Sequence, residues 1–346
     1  MIDISPTLSF VRQIGLIFLM FMAGLEVRFS TFKELGSSVG LVTFLNGAIP
    51  FFVGFGVGQY FEMDFTASML LGIIFMSSSI AVVIPSMESL GFMYTKLGRT
   101  TIASVMLEDI VSLFLFSIVL QTIDPITTLP LLIFYLLLLV VLVVLRVLLP
   151  KAQFFFLHDA LSRKESFERE VRIVFAILVG TVVLFELLGL HPMMAAFFVG
   201  LVLSDSIKSD KLYEKFHTMS YGFFILVFFV FVIVGITTDI SVFVSGRQEL
   251  FLVLVVVFGS IIAKFGSGYV AGRVTHFSNT ESVMLSVSTI PQLSTILAVV
   301  FIAREFELVP PELIVAMVIL SMVTTFAAPL ALKFVQIVPA KRILDK

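Results

Sequence analysis

Two neighbouring carboxylates, Glu108 and Asp109, lie in the middle of an otherwise apolar stretch, residues 98–120, with the sequence GRTTIASVMLEDIVSLFLFSIVL. An ionisable side chain at bilayer depth costs roughly 2.5–3.5 kcal/mol or more on insertion scales, and chains that keep one generally use it for transport. The pair therefore predicts a site that moves an ion or a proton. The alternative is an acidic pair near a helix end, solvated by lipid headgroups.

The position of the two carboxylates limits what they can do together. Adjacent residues of a helix point about 100° apart, so Glu108 and Asp109 cannot clamp one ion between them. We expect one to face an ion cavity and the other to face Lys264, the cation inside VFGSIIAKFGSGYVAG, unless Lys264 reaches the membrane interface instead. A hard cation needs oxygen ligands, here a carboxylate, the hydroxyls of Ser78 or Ser79, carbonyls of a broken helix and water. Competition between this cation and a proton for one carboxylate is the chemistry of exchange.

The composition is that of a membrane protein. Of 346 residues, 59% are hydrophobic and 13% are charged, and the mean hydropathy is +1.13. The absence of cysteine excludes disulfides, thiol catalysis and Cys-ligated metal centres, and the net charge of −2 gives no reason to expect a nucleic-acid partner. No cofactor is expected. The long apolar runs predict eleven spans, at residues 8–27, 39–60, 66–90, 98–121, 127–149, 169–189, 191–205, 218–238, 249–272, 280–304 and 312–335.

The basic residues indicate how these spans are oriented. Of the 22 Lys and Arg residues, Lys264 lies deep inside a span, three lie in or near links on one side, and the other 18 lie in or near the alternate links and in the C-terminal tail. By the positive-inside rule the N-terminus is outside and the C-terminus is cytoplasmic. We therefore expect a multi-pass protein of the plasma membrane.

The chain also repeats itself weakly. GLEVRFSTF (24–32) and GITTDISVF (235–243) share Gly, Ser and Phe at an offset of 211 residues, and SSSIAVVIPS (77–86) falls near SVSTIPQLST (286–295). Spans one to four then match spans eight to eleven with inverted topology, which is typical of transporters with two broken helices crossing near the midplane. Pro85 and Pro291 each remove a helical hydrogen bond, and we expect the two helices to break there.

Seven stretches carry a resemblance to a known family: FLMFMAGLEVRFS, SSSIAVVIPSMESLG, GRTTIASVMLEDIVSLFLF, GLHPMMAAFFVGLVLSDS, FVIVGITTDIS, SIIAKFGSG and residues 281–329. In this order they resemble the monovalent cation:proton antiporters, in the branch of bacterial sodium/proton exchangers and glutathione-gated potassium efflux proteins. The resemblance implies an all-α polytopic membrane protein with the sodium/proton antiporter-like fold, and a homodimer whose core domain moves against its dimerisation domain.

The resemblance also implies roles for individual residues. Asp109 matches the family's ion-binding aspartate, which would hold the transported Na⁺ or K⁺. Glu108 stands where relatives have Asp, Asn or Gln, and Lys264 matches the lysine that pairs with that position in the electrogenic members. Ser79 matches the usual Thr of the first broken helix. In contrast, PQLS (291–294) stands where many relatives have a charged turn. We also expect that the cytosolic nucleotide-binding domain of the gated potassium efflux relatives is absent.

The predicted domains are a first inverted repeat of four helices (1–126), a linker helix with a cytoplasmic link (127–168) and a second inverted repeat of six helices (169–346). Symmetry requires two more helices before the first repeat, and the opening IDISPTLSF is typical of a loop. We therefore expect that two N-terminal helices are missing and that the chain as written exchanges ions poorly.

The function favoured by these observations is a secondary antiporter, not an enzyme, that exchanges Na⁺, or as second choice K⁺, for H⁺ by alternating access. A potassium channel lacks support because no carbonyl-filter motif such as TVGYG occurs. An intramembrane aspartyl protease needs two aspartates facing each other, which neighbours on one helix do not supply. A transport-inactive regulatory paralogue is a further alternative.

Three other polar residues are not assigned to the ion site. Glu26 and Asp239 at helix ends are interpreted as solvated or structural, and His191 as a turn residue with a proton relay as the alternative.

Overall fold

The fold is known from a computed structural model that describes residue 10, most of 14–25, residues 29–123, most of 130–144, and residues 166–187, 192–204 and 246–337. Within these ranges every regular element is a helix. The helices are α1 (Phe29–Tyr60), α2 (Phe65–Met76), α3 (Ile80–Ser89), α4 (Lys96–Ile123), α5 (Ser166–Leu187), α6 (Pro192–Ser204), α7 (Arg247–Val274), α8 (Asn279–Ser288), α9 (Ser294–Glu305) and α10 (Pro311–Ile337).

Several helices are long and apolar enough to cross a membrane. Among the described residues there are five such segments: Gly36–Tyr60, Phe65–Ser89, Lys96–Ile123, Arg247–Val274 and Pro311–Val335. They coincide with the predicted spans 39–60, 66–90, 98–121, 249–272 and 312–335. The first begins at Gly36, whose φ of 55° interrupts α1 with a backbone conformation that glycine adopts readily. The predicted span 218–238 and most of the link 150–168 lie outside the described residues.

Two of the predicted spans are broken helices. The chain is extended between α2 and α3, where Ser77 has φ −68° and ψ 154° and Ser79 has φ −94° and ψ 111°. Between α8 and α9 the break covers residues 289–293 and contains Pro291. We call the meeting point of these two breaks, Ser77–Ser79 and residues 289–293, the crossing.

The prediction that Pro85 breaks the first of these helices is wrong. Pro85 lies inside α3, which continues to Ser89. The break is instead at three consecutive serines, since serine side chains offer the backbone hydrogen bonds that compete with the helix. Ser77 illustrates this, because its hydroxyl donates to the carbonyl of Ile74 at 3.0 Å.

The structure also corrects the spacing of the repeats. Phe65 and Asn279, which begin α2 and α8, lie 279 − 65 = 214 residues apart, and the same spacing separates the starts of α3 and α9. Equivalent caps follow it: the side chain of Asp64 accepts from the N–H of Ala67, and that of Ser278 accepts from the N–H of Glu281. The predicted offset of 211 is therefore three residues short. At the true spacing Pro291 corresponds to Ser77, so the two prolines are not equivalent.

The described residues fall into two compact units, one within 30–119 and 237–346 and the other within 2–29 and 120–236. In the first unit α7 packs against α2, α8 and α10, and α9 packs against α2 and α10. In the second unit α5 packs against α6.

Two glycines of the second unit, Gly24 and Gly200, allow two helix backbones to touch, because a Cβ on either would collide with the other backbone. The division into sequence repeats is separate from this grouping by contact and stays a prediction.

Glycines make a testable contact between α7 and α8. A Cβ on Gly268 would lie 2.8 Å from the Cα of Ser286, whereas one on Gly266, half a turn away, would have no atom within 4 Å. Overpacking typically costs about 1–3 kcal/mol of unfolding free energy. We therefore expect Gly268→Ala to lower the melting temperature of the detergent-purified protein. Gly266→Ala, the matched control, gains helix propensity of about 1 kcal/mol without the collision. Equal melting temperatures for the two variants would contradict this contact.

Candidate functional site

The crossing brings four helix ends together within the first unit. The C-termini of α2 and α8 and the N-termini of α3 and α9 all lie at the two breaks. The backbone N–H of Ser79 donates to the carbonyl of Pro291 at 2.7 Å, which joins the breaks directly. Broken helices of this kind expose partial positive charge at the N-termini and partial negative charge at the C-termini, where ions are bound in transporters.

Lys264 and Glu108 form an ion pair beside this crossing. The Nζ of Lys264 lies 2.8 Å from Oε2 of Glu108, and both side chains are 0% exposed, so Lys264 does not reach the membrane interface. The ammonium also donates to the carbonyls of Asn46 (3.1 Å) and Met76 (2.6 Å) and to Oγ of Ser78 (2.8 Å). Four oxygens thus surround three N–H groups, which compensates the burial of the charge. The Met76 carbonyl belongs to the C-terminus of α2, where a cation also offsets the helix dipole.

Asn46 on α1 is a residue of this cluster that the sequence interpretation missed. Its Nδ2 donates to Oε1 of Glu108 at 2.9 Å, and its Oδ1 accepts from the hydroxyl of Ser267 at 2.9 Å. Together with the carbonyl that Lys264 reaches, Asn46 contacts both members of the ion pair. An amide inside the apolar stretch LVTFLNGAIPFF was a signal for such a role.

Ser78 connects the ion pair to the second break. Its Oγ lies 2.7 Å from Oε2 of Glu108 and 2.8 Å from the carbonyl oxygen of Thr289. A hydroxyl has one proton to donate. Since Ser78 accepts from Lys264, it donates either to Glu108 or to Thr289 at any moment.

Asp109 points to a different set of groups, although it follows Glu108 directly. It is 1% exposed, and its Oδ1 accepts a hydrogen bond of 2.9 Å from the hydroxyl of Thr295 in the first turn of α9. This is the one hydrogen bond that the carboxylate makes within the part of the chain that the structure describes. The hydroxyl of Ser79 is also buried and lacks a hydrogen-bond partner among the described residues. The two carboxylates therefore have different partners: Glu108 has the ammonium of Lys264, and Asp109 has the hydroxyl of Thr295.

Gln292 forms a second polar cluster that the sequence did not reveal. Its Nε2 donates to the carbonyl of Phe75 at 3.1 Å, and its Oε1 accepts from the hydroxyl of Ser260 at 3.2 Å. Its backbone N–H donates to Oγ1 of Thr324 at 3.3 Å. In the sequence, PQLS is distinguished only by its lack of charge, which does not indicate that the amide reaches the other break.

The other predicted residues do not join this site. Pro85 lies inside α3, and its ring is exposed. Glu26, His191 and Asp239 lie outside the described residues. Within the described ranges no three His, Cys, Asp or Glu side chains are grouped as metal ligands usually are. Glu108 and Asp109 do not face each other across one cavity, which is the arrangement that an aspartyl protease needs.

Comparison with known proteins gives a consistent result over almost the whole chain. The family model described as "Sodium/hydrogen exchanger, transmembrane" matches residues 1–337. The chain is 28% identical over 341 residues to "Probable Na(+)/H(+) antiporter 3" of Methanocaldococcus jannaschii, covering 96% of this chain and 85% of that protein. It is 26% identical over 325 residues to the "Na(+)/H(+) antiporter" of Enterococcus hirae, covering 93% of this chain and 83% of that protein.

Among solved structures, the chain resembles the sodium proton antiporter MjNhaP1 from Methanocaldococcus jannaschii at pH 8, with a TM-score of 0.67 and 17% identity. The match covers 95% of this chain and 84% of that one. At this identity the likeness concerns the fold alone. It confirms the predicted all-α fold of this multi-pass membrane protein.

The ion pair predicts a specific pattern of stabilities. Lys264→Ala leaves Glu108 buried without a counter-charge, which typically costs about 3–5 kcal/mol. We expect a clear fall in melting temperature, measured in detergent by intrinsic or dye fluorescence. Adding Glu108→Gln removes the unpaired charge and should recover much of the loss. A double variant no more stable than Lys264→Ala would show that the two residues do not depend on each other.

Proposed function

The chain belongs to the sodium/hydrogen exchanger family, and we propose that it is a secondary antiporter exchanging a monovalent cation for H⁺ across the membrane. Na⁺ is the preferred cation and K⁺ the second candidate. The exchange proceeds by alternating access, with one site open to one side of the membrane at a time. The relatives named as Na(+)/H(+) antiporters support the choice of substrates.

The observation that carries this proposal is the environment of Asp109. A buried carboxylate whose described hydrogen bond comes from one hydroxyl keeps lone pairs free for a cation or a proton. The hydroxyls of Ser79 and Thr295 supply further oxygens, and Asp109 lies against the first turn of α9. A cation and a proton compete for this one carboxylate, so binding of either expels the other. That competition couples the two fluxes.

Glu108 and Lys264 have a different role in this proposal. Their ion pair holds α4 against α7 and the C-terminus of α2, since Lys264 also reaches the carbonyl of Met76. If the pair parts in the opposite conformation of the cycle, Glu108 or Lys264 exchanges a further proton with the solution. One more charge then crosses the membrane in each cycle, and the exchange becomes electrogenic. Ser78, which contacts both members, moves with them.

The finer statements about architecture and location follow from the sequence. The bias of basic residues supports an N-terminus outside and a C-terminus in the cytoplasm of the plasma membrane. The family resemblance supports a homodimer. The 214-residue spacing of helices and caps supports a first repeat within residues 1–126 and a second within 169–346, joined through residues 127–168.

The role of Asp109 is tested by Asp109→Asn, which keeps the size of the side chain but removes the charge for which cation and proton compete. We expect Na⁺-driven proton movement in proteoliposomes or everted vesicles to fall to background. The protein should still fold, because losing an unpaired buried charge relieves a desolvation cost. Melting temperature is the control. Exchange at the wild-type rate by the Asn variant would remove Asp109 from the mechanism.

A further inference from the structure

Four carbonyl groups at the two breaks have hydrogen-bond donors within the protein. At the end of α2, the carbonyl of Phe75 accepts from Gln292 and that of Met76 accepts from Lys264. In the second break, the carbonyl of Thr289 lies 2.8 Å from the hydroxyl of Ser78, and that of Pro291 accepts from the N–H of Ser79. These are the backbone oxygens that a broken helix usually offers to a transported ion.

Two of these contacts are equivalent under the internal repeat. Gln292 lies 214 residues after Ser78, and Thr289 lies 214 residues after Phe75, which is the spacing of the helices themselves. Each break therefore sends one side chain to the last carbonyls of the other half: Ser78 to Thr289 and Gln292 to Phe75. The two contacts differ in one respect. Ser78 also binds the ion pair, whereas Gln292 is a neutral amide held by the Ser260 hydroxyl.

Carbonyl oxygens that already accept hydrogen bonds from the protein are less available as ligands, and this affects which cation the site prefers. Selectivity for K⁺ in proteins is associated with several backbone carbonyls that replace the ion's hydration shell. Here four carbonyls point at internal donors. The hydroxyl of Ser79 remains without a partner among the described residues, and the Thr295 hydroxyl contacts Asp109. A carboxylate, hydroxyls and water form a smaller ligand set than one that includes carbonyls of both breaks.

We propose that Gln292 is a specificity-determining residue, which holds the Phe75 carbonyl away from the cation so that Asp109 and hydroxyls coordinate Na⁺ in preference to K⁺. The inference rests on the proposed antiport and adds to it the basis of cation choice. It replaces the expectation that broken-helix carbonyls are ligands. Gln292 does not touch the cation itself and acts through the direction of the Phe75 carbonyl.

The test compares Gln292→Leu and Gln292→Ala in the full chain, reconstituted in proteoliposomes, with Na⁺, Li⁺ and K⁺ supplied separately. Leu removes the amide donor and largely fills its space, whereas Ala removes the donor and opens a cavity. Both free the Phe75 carbonyl. We expect the ratio of kcat/KM for K⁺ to kcat/KM for Na⁺ to rise about tenfold in both variants, as for one altered ligand. A merely structural role would lower kcat/KM for K⁺ and kcat/KM for Na⁺ by the same factor and leave their ratio unchanged.

Two further variants make the result specific. Gln59→Leu removes another glutamine amide, which donates to the hydroxyl of Ser68 at 2.8 Å away from the breaks, and its K⁺/Na⁺ ratio should match the wild type. Ser260→Ala removes the hydroxyl donor that orients the Gln292 amide and should raise the ratio by a smaller factor. If both Gln292 variants melt below the working temperature, Ser260→Ala decides, and an unchanged ratio there overturns the inference.

The outcomes separate this inference from the function on which it rests. Wild-type exchange with an unchanged K⁺/Na⁺ ratio in the Gln292 variants overturns the role of Gln292 and leaves the antiport intact. A ratio that rises in Gln292→Ala alone assigns the effect to the cavity and also overturns it. Absence of exchange with any cation by the wild-type chain overturns the antiport and the inference together.

Discussion

Among the residues that the structure describes, those around the crossing depend on one buried cation, Lys264. An ammonium without water is stable only when its N–H groups and its charge are compensated. Glu108 supplies the charge from α4, and α1, α2 and the first break supply the other oxygens. One side chain on α7 thus joins the elements that carry the first break. The neutral contacts of Gln292 and Ser79 then join the second break to them.

This arrangement separates two tasks between adjacent carboxylates. The 100° turn between neighbouring helical residues sends Glu108 to the ion pair and Asp109 to the first turn of α9. The charge of Glu108 is neutralised by Lys264, so Glu108 has little attraction for a transported cation. Asp109 has only a hydroxyl as its partner and retains that attraction. Under the proposed function, the Lys264–Glu108 ion pair therefore leaves Asp109 as the carboxylate available for exchange.

The sequence predicted the ionisable part of this site because charges at bilayer depth are rare and need partners. Glu108, Asp109 and Lys264 stood out for that reason. The predicted position of the first break was wrong because Pro85 is tolerated inside α3, whereas the side chains of three consecutive serines compete for the backbone hydrogen bonds. Asn46 and Gln292 were missed because a neutral amide in a span does not specify its partner, which lies on a helix distant in sequence. The repeat offset was three residues short because few identical residues marked it, whereas helix ends and caps mark it clearly.

The central claim is that a cation and a proton compete for one buried carboxylate, and proton release on binding measures this most directly. Na⁺ is titrated calorimetrically into the purified protein in buffers of different ionisation enthalpy, at several pH values, with choline as the ionic-strength control. The account predicts a heat that depends on the buffer and a release that approaches one proton per Na⁺ toward the acid end of the range. Saturable Na⁺ binding whose heat is the same in every buffer, at every pH, would contradict it.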